Sequence, residues 1–286
     1  LYHDGIYKFK INNYNFDYNW GIKHQIESIN DQIREWVMID SAGYSISPIN
    51  SELHLYEFYK GNSSITSNRL SSYMQIANEF QINQSDFNWI FGARANYWDF
   101  NHEWFFSPRM MFSIKPNWNK DFVFNLSCGS YNQSPFFKEY RDAEGVLNNN
   151  IKSQKSIHYV INSDYQFQYL GRSFKLTSAL YYKKLWDIIP FEIDNLRIIY
   201  LNENNAQGYS TGLDLKLFGE FVPNVDSWIS LSLLTTREDI EGDGHGYIPR
   251  PTDRRLNASI FFQDYFPKNP NYKMQLSLIY GSGLPF

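Results

Sequence analysis

Asp86-Phe87-Asn88-Trp89-Ile90-Phe91-Gly92-Ala93-Arg94-Ala95-Asn96-Tyr97 reads with a period of two. Phe87, Trp89, Phe91, Ala93, Ala95 and Tyr97 fall on one face; Asn88, Ile90, Gly92, Arg94 and Asn96 fall on the other. Such alternation predicts a strand with one apolar and one polar side. The same rhythm returns in Phe174–Tyr182, Leu256–Phe266 and Tyr272–Tyr280. Related segments lie near Phe16–Ile26, Glu52–Tyr59, Tyr73–Ile82, Trp104–Ile114, Phe122–Tyr131, Ser156–Phe167, Leu213–Phe218 and Trp228–Leu234. About a dozen strands follow, several approaching the ~9–11 residues that a tilted strand needs to cross a bilayer. Asn30–Val37 is the one helix candidate.

Composition sharpens this. Aromatic residues make up 19% of the 286 residues, yet mean hydropathy is −0.49. A transmembrane barrel reconciles the two: apolar outside, Tyr and Trp at the interfaces, polar lumen and loops. A soluble aromatic-rich β-sandwich, for example a carbohydrate-binding one, is the alternative that composition leaves open. No run approaches the ~18 apolar residues of a transmembrane helix. Leu1–Lys10 lacks the pattern of a secretory signal. Cys128 is the single cysteine, which excludes a disulfide framework and a thiolate metal cluster. The net charge of −4 provides no basic field for nucleic acid.

Connections come in two sizes. Gln84-Ser85, Trp118-Asn119-Lys120 and Leu170-Gly171-Arg172 are short, whereas Asn132–Asn150, Ile188–Gln207 and Arg237–Arg250 are long and polar. A bacterial barrel alternates short periplasmic turns with long outer loops, although the turn at Asp99–Glu103 is also short.

Chemistry-bearing motifs are sparse. Glu241–Gly246 is rich in glycine and acid but lacks the full calcium-loop arrangement. The six histidines are scattered. Asp4, Asp17, Asp187 and Asp194 form no recognisable catalytic pair, and no nucleophile elbow or phosphate loop occurs. The expectation is a protein that is not an enzyme, with no metal and no cofactor. Arg94, Asn96, Asn125, Lys175, Asp214, Lys216 and Gln263 are expected to line a hydrated lumen. Trp98, Trp104, Trp118, Trp186 and Trp228, with Tyr181, Tyr182 and Tyr265, are candidates for an interfacial girdle. Tyr131, Phe136, Phe137 and Tyr140 are the loop aromatics that could stack on a ligand or pack the loop itself. The closing Gly283-Leu284-Pro285-Phe286 reads as an interruption of a strand rather than a barrel terminus.

Several runs resemble a known family in consistent order. They are Glu35-Trp36 with Asp40-Ser41-Ala42-Gly43-Tyr44, Ser107-Pro108-Arg109 with Lys115-Pro116, and Tyr131-Asn132-Gln133-Ser134-Pro135-Phe136. Tyr181-Tyr182-Lys183 with Ile189-Pro190, Asn205-Ala206-Gln207-Gly208-Tyr209 and Gly212-Leu213-Asp214 continue the series. Gly219-Glu220-Phe221, Asp226-Ser227-Trp228, Arg250-Pro251-Thr252-Asp253-Arg254 and Gly281–Phe286 complete it. Together they resemble the barrel of Bacteroidetes TonB-dependent receptors of the carboxypeptidase-regulatory-like, SusC-related type. The resemblance implies a cell outer-membrane barrel of about 22 strands that imports a bulky solute past a plug. It also implies TonB and a surface lipoprotein as partners, beside membrane lipid and the remainder of the barrel and plug. Residues 1–286 read as a barrel section with no plug and no TonB box. Half a barrel leaves two open edges in lipid, so the chain is expected to belong to a longer polypeptide or to be completed by another segment. A structural barrel subunit of an outer-membrane assembly, paired with other outer-membrane proteins, is the competing role.

Overall fold

The computed structural model describes residues 1–12, 14–39, 54–142, 146–194 and 197–285. The Asp40–Tyr44 run, Glu52 and Phe286 lie outside them. The fold is all-β, the class expected. The strands are β1 (Tyr2–Ile11), β2 (Tyr14–Ile39), β3 (His54–Ile82), β4 (Ser85–Trp98), β5 (Glu103–Lys115), β6 (Asp121–Gln133), β7 (Gln154–Tyr169) and β8 (Arg172–Ile188). After them come β9 (Phe191–Asp194), β10 (Arg197–Tyr200), β11 (Ala206–Val222), β12 (Val225–Ile240), β13 (Ile248–Pro249), β14 (Leu256–Phe266) and β15 (Asn269–Gly281). Neighbours in sequence are neighbours in a 13-stranded sheet, apart from β9 and β10, which form their own hairpin, and the short β13, which pairs with β12 off the main path so that β14 also lies beside β12. All pairings are antiparallel. β1 and β15 are the sheet's two edges.

Register carries the period of two across the sheet. Phe80 faces Phe87 and Phe87 faces Ile114; farther on, Leu180 faces Leu213 and Leu213 faces Leu233. One face therefore gathers apolar side chains and the other polar ones. The apolar face is uncovered: Met74, Phe91, Leu126, Ile161 and Leu180 are each about half exposed (56%, 50%, 50%, 54% and 55%). A water-soluble sheet buries such a face against a second layer, and a patch this wide marks contact with another apolar phase. From Phe80 to Leu70 the strand climbs ten residues, ~33 Å at ~3.3 Å each. At a tilt of ~40° that is a height of roughly 25 Å, the apolar band of a transmembrane barrel.

Loop lengths sort by end. At one end Ile11 pairs with Tyr14, Ile82 with Ser85, Tyr169 with Arg172, Val222 with Val225 and Phe266 with Asn269, each leaving a two-residue turn. Asn83 and Gln84 (φ 50° and 62°) and Leu170 and Gly171 (φ 51° and 72°) are left-handed at both positions, the geometry that matches strand twist. Leu170 is a poor fit there, being β-carbon-bearing and 74% exposed. Leu170→Asn should raise the equilibrium stability by about 0.5–1 kcal/mol in urea titration. At the other end stand residues 134–153, 189–205 and 241–255, with Asp99–His102 as a short exception.

Three expectations need correction. Asn30–Val37 is strand, not helix. It belongs to a long β2–β3 ribbon that rises past the band, and its outward face turns polar just above it: Thr66 donates to Ser28 (3.5 Å) and Ser64 to Asn30 (2.7 Å), before the Trp36–Phe58 pair higher up. Glu52–Tyr59 and Tyr73–Ile82 are not separate; from His54 onward they are one strand, β3. The long polar stretch 188–207 contains the β9–β10 hairpin. Among the described residues the only helical element is one 3₁₀ turn, Phe137–Tyr140.

Candidate functional site

Two regions carry the chemistry: the polar wall and a platform of loops above it.

Chain register places the seven expected lumen residues on the polar face. Asn125 pairs with Ser113 and Asn162, Asn162 with Ala179, and Ala179 with Asp214. Lys175 and Lys216 both lie on the short-turn side of that row, Gln263 lies farther along the same face, and Arg94 and Asn96 lie higher on β4. Ser113 donates to Asn125 and Ser232 to Asp214. Toward the short-turn end the wall's charges are matched: Lys8–Asp17 at 3.3 Å, Lys115–Asp121 at 2.8 Å and Lys175–Asp164 at 2.9 Å.

The apolar face carries two aromatic belts. Near the short turns run Phe9–Phe16, Phe80–Phe87, Phe122–Tyr165 and Phe167–Phe174, with ring centroids 5.3, 5.3, 4.1 and 5.6 Å apart. Trp118 joins them at 6.1 Å from Phe122. Near the long loops stand Tyr97–Trp104 (4.8 Å) and Tyr182–Tyr209 (6.3 Å). The expected girdle is thus only partly the observed one. Trp228 stacks on Phe261 beneath Lys216 on the polar face. Tyr181 lies on that face too, opposite Gly212, as does Tyr265, opposite Lys273. Trp98 is 1% exposed and sits on the same side of β4 as Arg94. Strand parity, readable in the sequence, is the signal that separates them.

Trp98 belongs to the loop platform. It packs with Ile65, Tyr140, Ile151 and Ile189, flanked by Phe100, Phe137, Leu147 and Tyr200. Arg69 lies over its ring at 5.1 Å, bonds the Tyr140 hydroxyl at 3.2 Å and pairs with Glu27 at 3.1 Å. Arg141 pairs with Asp31 on the ribbon at 3.3 Å. Asn101 donates to the Ile151 carbonyl (2.7 Å). Asn204 donates to the carbonyls of Lys152 and Asp187, both at 2.9 Å. Asparagine side chains thus tie two long loops and one short turn into a single body.

Of the four loop aromatics, Tyr140 is buried and Phe137 packs against the same core, so both pack the loop itself. Phe136 is 64% exposed. Tyr131 is not in a loop: β6 extends to Gln133, and Tyr131 stacks on His158 at 4.2 Å. Burial raises the Tyr140 hydroxyl to about 12.

Glu103 is the hub that sequence reading missed. Its carboxylate accepts from the Ser153 amide (2.8 Å), the Ser153 hydroxyl (2.7 Å) and Asn101 (3.2 Å). Lys155 lies 3.8 Å away and itself pairs with Asp187 at 2.7 Å. Glu103→Ala should cost about 2–3 kcal/mol of loop stability through lost charge-assisted bonds, read as faster proteolysis near Ser153. Asp187, once a candidate acid, is occupied by this pair.

Glu139 behaves differently. Burial pushes its carboxyl above the ordinary value, while the Phe136 amide and Gln154 pull it back in part. With its folded value raised, the packed loop holds the proton more tightly than the opened loop. Loop closure from this group therefore strengthens as pH falls through the raised value and weakens above it. Glu139→Gln should remove that component: the variant's loop protection, relative to the parent, gains most at neutral pH and least near pH 4.5. Equal gain at both pH values would contradict this.

Glu241–Gly246 forms a tip in which the His245 amide donates to Asp243 at 2.8 Å. Among the described residues no three His, Cys, Asp or Glu side chains cluster at metal-binding geometry.

Solved structures share this architecture. The outer membrane transporter YddB from Escherichia coli matches with TM-score 0.59 and 13% identity, over 96% of this chain and 45% of that one. The RagAB peptide transporter matches with TM-score 0.53 and 14% identity, over 98% of this chain and 38% of that one. The chain thus spans less than half the length of either, and at these identities the likeness is one of fold. No family model and no curated protein matches the sequence.

Proposed function

We propose that the chain is part of the barrel of an outer-membrane importer without catalytic activity: a TonB-dependent receptor of the SusC-related type. The observation that carries this reading is the single-layer sheet with an uncovered apolar band between two aromatic belts, capped by long loops at one end only. Lipid is the phase such a band requires. The likeness to two outer-membrane transporters supports the same reading. The edges β1 and β15 leave backbone groups that lipid cannot satisfy. We therefore place further strands of the same barrel against both, with a plug inside, TonB coupling beneath and a surface lipoprotein above.

Membranes from producing cells test the location. The protein should remain after carbonate washing and leave only with detergent; recovery in the soluble fraction would sink the reading. The denatured mass should then be far above the 33.9 kDa of this chain. For transport, deleting the tips of Asn132–Asn150, Ile188–Gln207 and Arg237–Arg250 should abolish solute uptake and leave assembly intact.

A structural barrel subunit without transport is the second reading. It is favoured by the inward packing of Phe137 and Tyr140, which removes two aromatics from ligand contact. Unchanged uptake after all three deletions, with other outer-membrane proteins co-purifying tightly, would decide for it.

A further inference from the structure

Mid-height on the polar wall the matching of charges stops. Arg109 faces Gly92 across the β4–β5 ladder, and Arg94 lies two residues along β4. Both are exposed, and among the described residues neither has an ion pair or a side-chain hydrogen bond. The pairing row of Arg109 runs through Gln75, Gly92, Gly129, His158 and Lys183 without an acid. In the row of Arg94 the nearest acid, Asp4, stands three strands away on β1. Gathering such cations without counter-charges raises their mutual repulsion, which a bound anion would relieve.

Each guanidinium is held by a ring rather than by an acid. Arg94 lies 5.9 Å from the Tyr73 ring and Arg109 lies 4.2 Å from the Tyr131 ring. The close contact on Tyr131 steadies the Arg109 fork, the longer one on Tyr73 draws Arg94 to the ring face, and both leave N–H groups free to donate. Between them the missing side chain of Gly92 opens a recess of about 250 Å³ floored by Gly92 and flanked by Tyr73, Gln75 and Tyr131. Gly129 makes the Arg109–Tyr131 stack possible, because a β-carbon there would sit 3.0 Å from Arg109 Cγ and 3.2 Å from the Tyr131 ring.

We propose that this recess is a binding station for the carboxylate of an anionic solute, held between Arg94 and Arg109. Two guanidinium forks flanking a group-sized hollow suit bidentate capture of a carboxylate. The proposal rests on the polar wall being the hydrated interior.

The test uses the intact membrane protein in detergent, with Cys128→Ser as background and Gln75→Cys as reporter. Two thiosulfonate reagents of similar size are compared, one bearing a sulfonate and one a trimethylammonium. Relative to a free thiol, the anionic reagent should react at least about tenfold faster, as cationic focusing implies. Glutarate should slow the reaction and glutaramide should not. Combined Arg94→Gln and Arg109→Gln should bring the reagent ratio close to one and remove protection, and Gly92→Leu should remove protection alone. Reaction with both reagents at a ratio near one, or without glutarate protection, overturns the station but leaves the hydrated wall standing. Slow reaction with both reagents, with assembly normal by heat-resistant gel mobility, means that a plug segment or lipid covers the recess, and overturns the proposal; faster labelling of Leu213→Cys in that case overturns the hydrated wall as well.

Discussion

Leu215→Arg should destabilise the folded protein by roughly 2–4 kcal/mol in lipid vesicles, whereas Asn162→Arg should change stability by less than about 1 kcal/mol. Leu215 sits mid-strand on β11, between Ser178 of β8 and Leu231 of β12, at the centre of the apolar band. An arginine there is forced into hydrocarbon unless the bilayer thins around it. Asn162 occupies the same depth on the opposite side of β7, between Asn125 and Ala179, where water can solvate the charge. The measurement is equilibrium urea unfolding in vesicles. Equal costs for the two variants would mean that the faces are misassigned, and a soluble sheet would return as the explanation.

Trp98→Ala should open the loop platform by about 3–5 kcal/mol, the cost of emptying a buried aromatic site. Phe100 and Tyr140 lose a stacking partner at 5.1 and 5.3 Å, and Arg69 loses the ring beneath it. Hydrogen exchange at the amides of Asn148 and Ile151 should accelerate by roughly a hundredfold or more, since both are held only by bonds within the platform: Asn148 to the Tyr140 carbonyl at 2.7 Å and Ile151 to the Asn148 carbonyl at 3.5 Å. Exchange in the ladder between β7 and β8 should not change. If the whole sheet loosened instead, Trp98 would be a keystone of the sheet rather than of the loops.

These two variants mark what the sequence could and could not show. Where a strand lies between lipid and water, alternation is imposed by the solvent on each side, and β4, β8, β14 and β15 were readable from it. Past Ile26 and Asn68 the β2–β3 ribbon leaves the apolar band, its outward face turns to Ser28, Asn30, Ser64 and Thr66 before Trp36 and Phe58, and the constraint that writes the pattern weakens. Asn30–Val37 then offers Ile33, Trp36 and Val37 at helical spacing, and only pairing with β3 makes it a strand. Phe137 and Tyr140 could not be assigned at all, because what buries them is Ile65 and Ile189, far away in the chain. Glu103 was invisible for the same reason: its partners Ser153 and Lys155 sit about fifty residues on, brought near by two successive hairpins, β5–β6 and β6–β7.

Because each strand along the main path of the sheet, the short β13 aside, pairs with the path strand before it, the sheet can be assembled by accretion, one hairpin at a time. No crossing connection has to be threaded and no early strand must wait for a late one. The growing margin at any stage is then a single strand, and the next segment of chain to arrive is the one that covers it, while β1 holds the opposite edge. Translocation order becomes folding order. A duplicated or deleted hairpin within this chain should therefore yield a wider or narrower sheet with intact neighbours, rather than a scrambled one, as long as the two-residue turns keep each new pair in register.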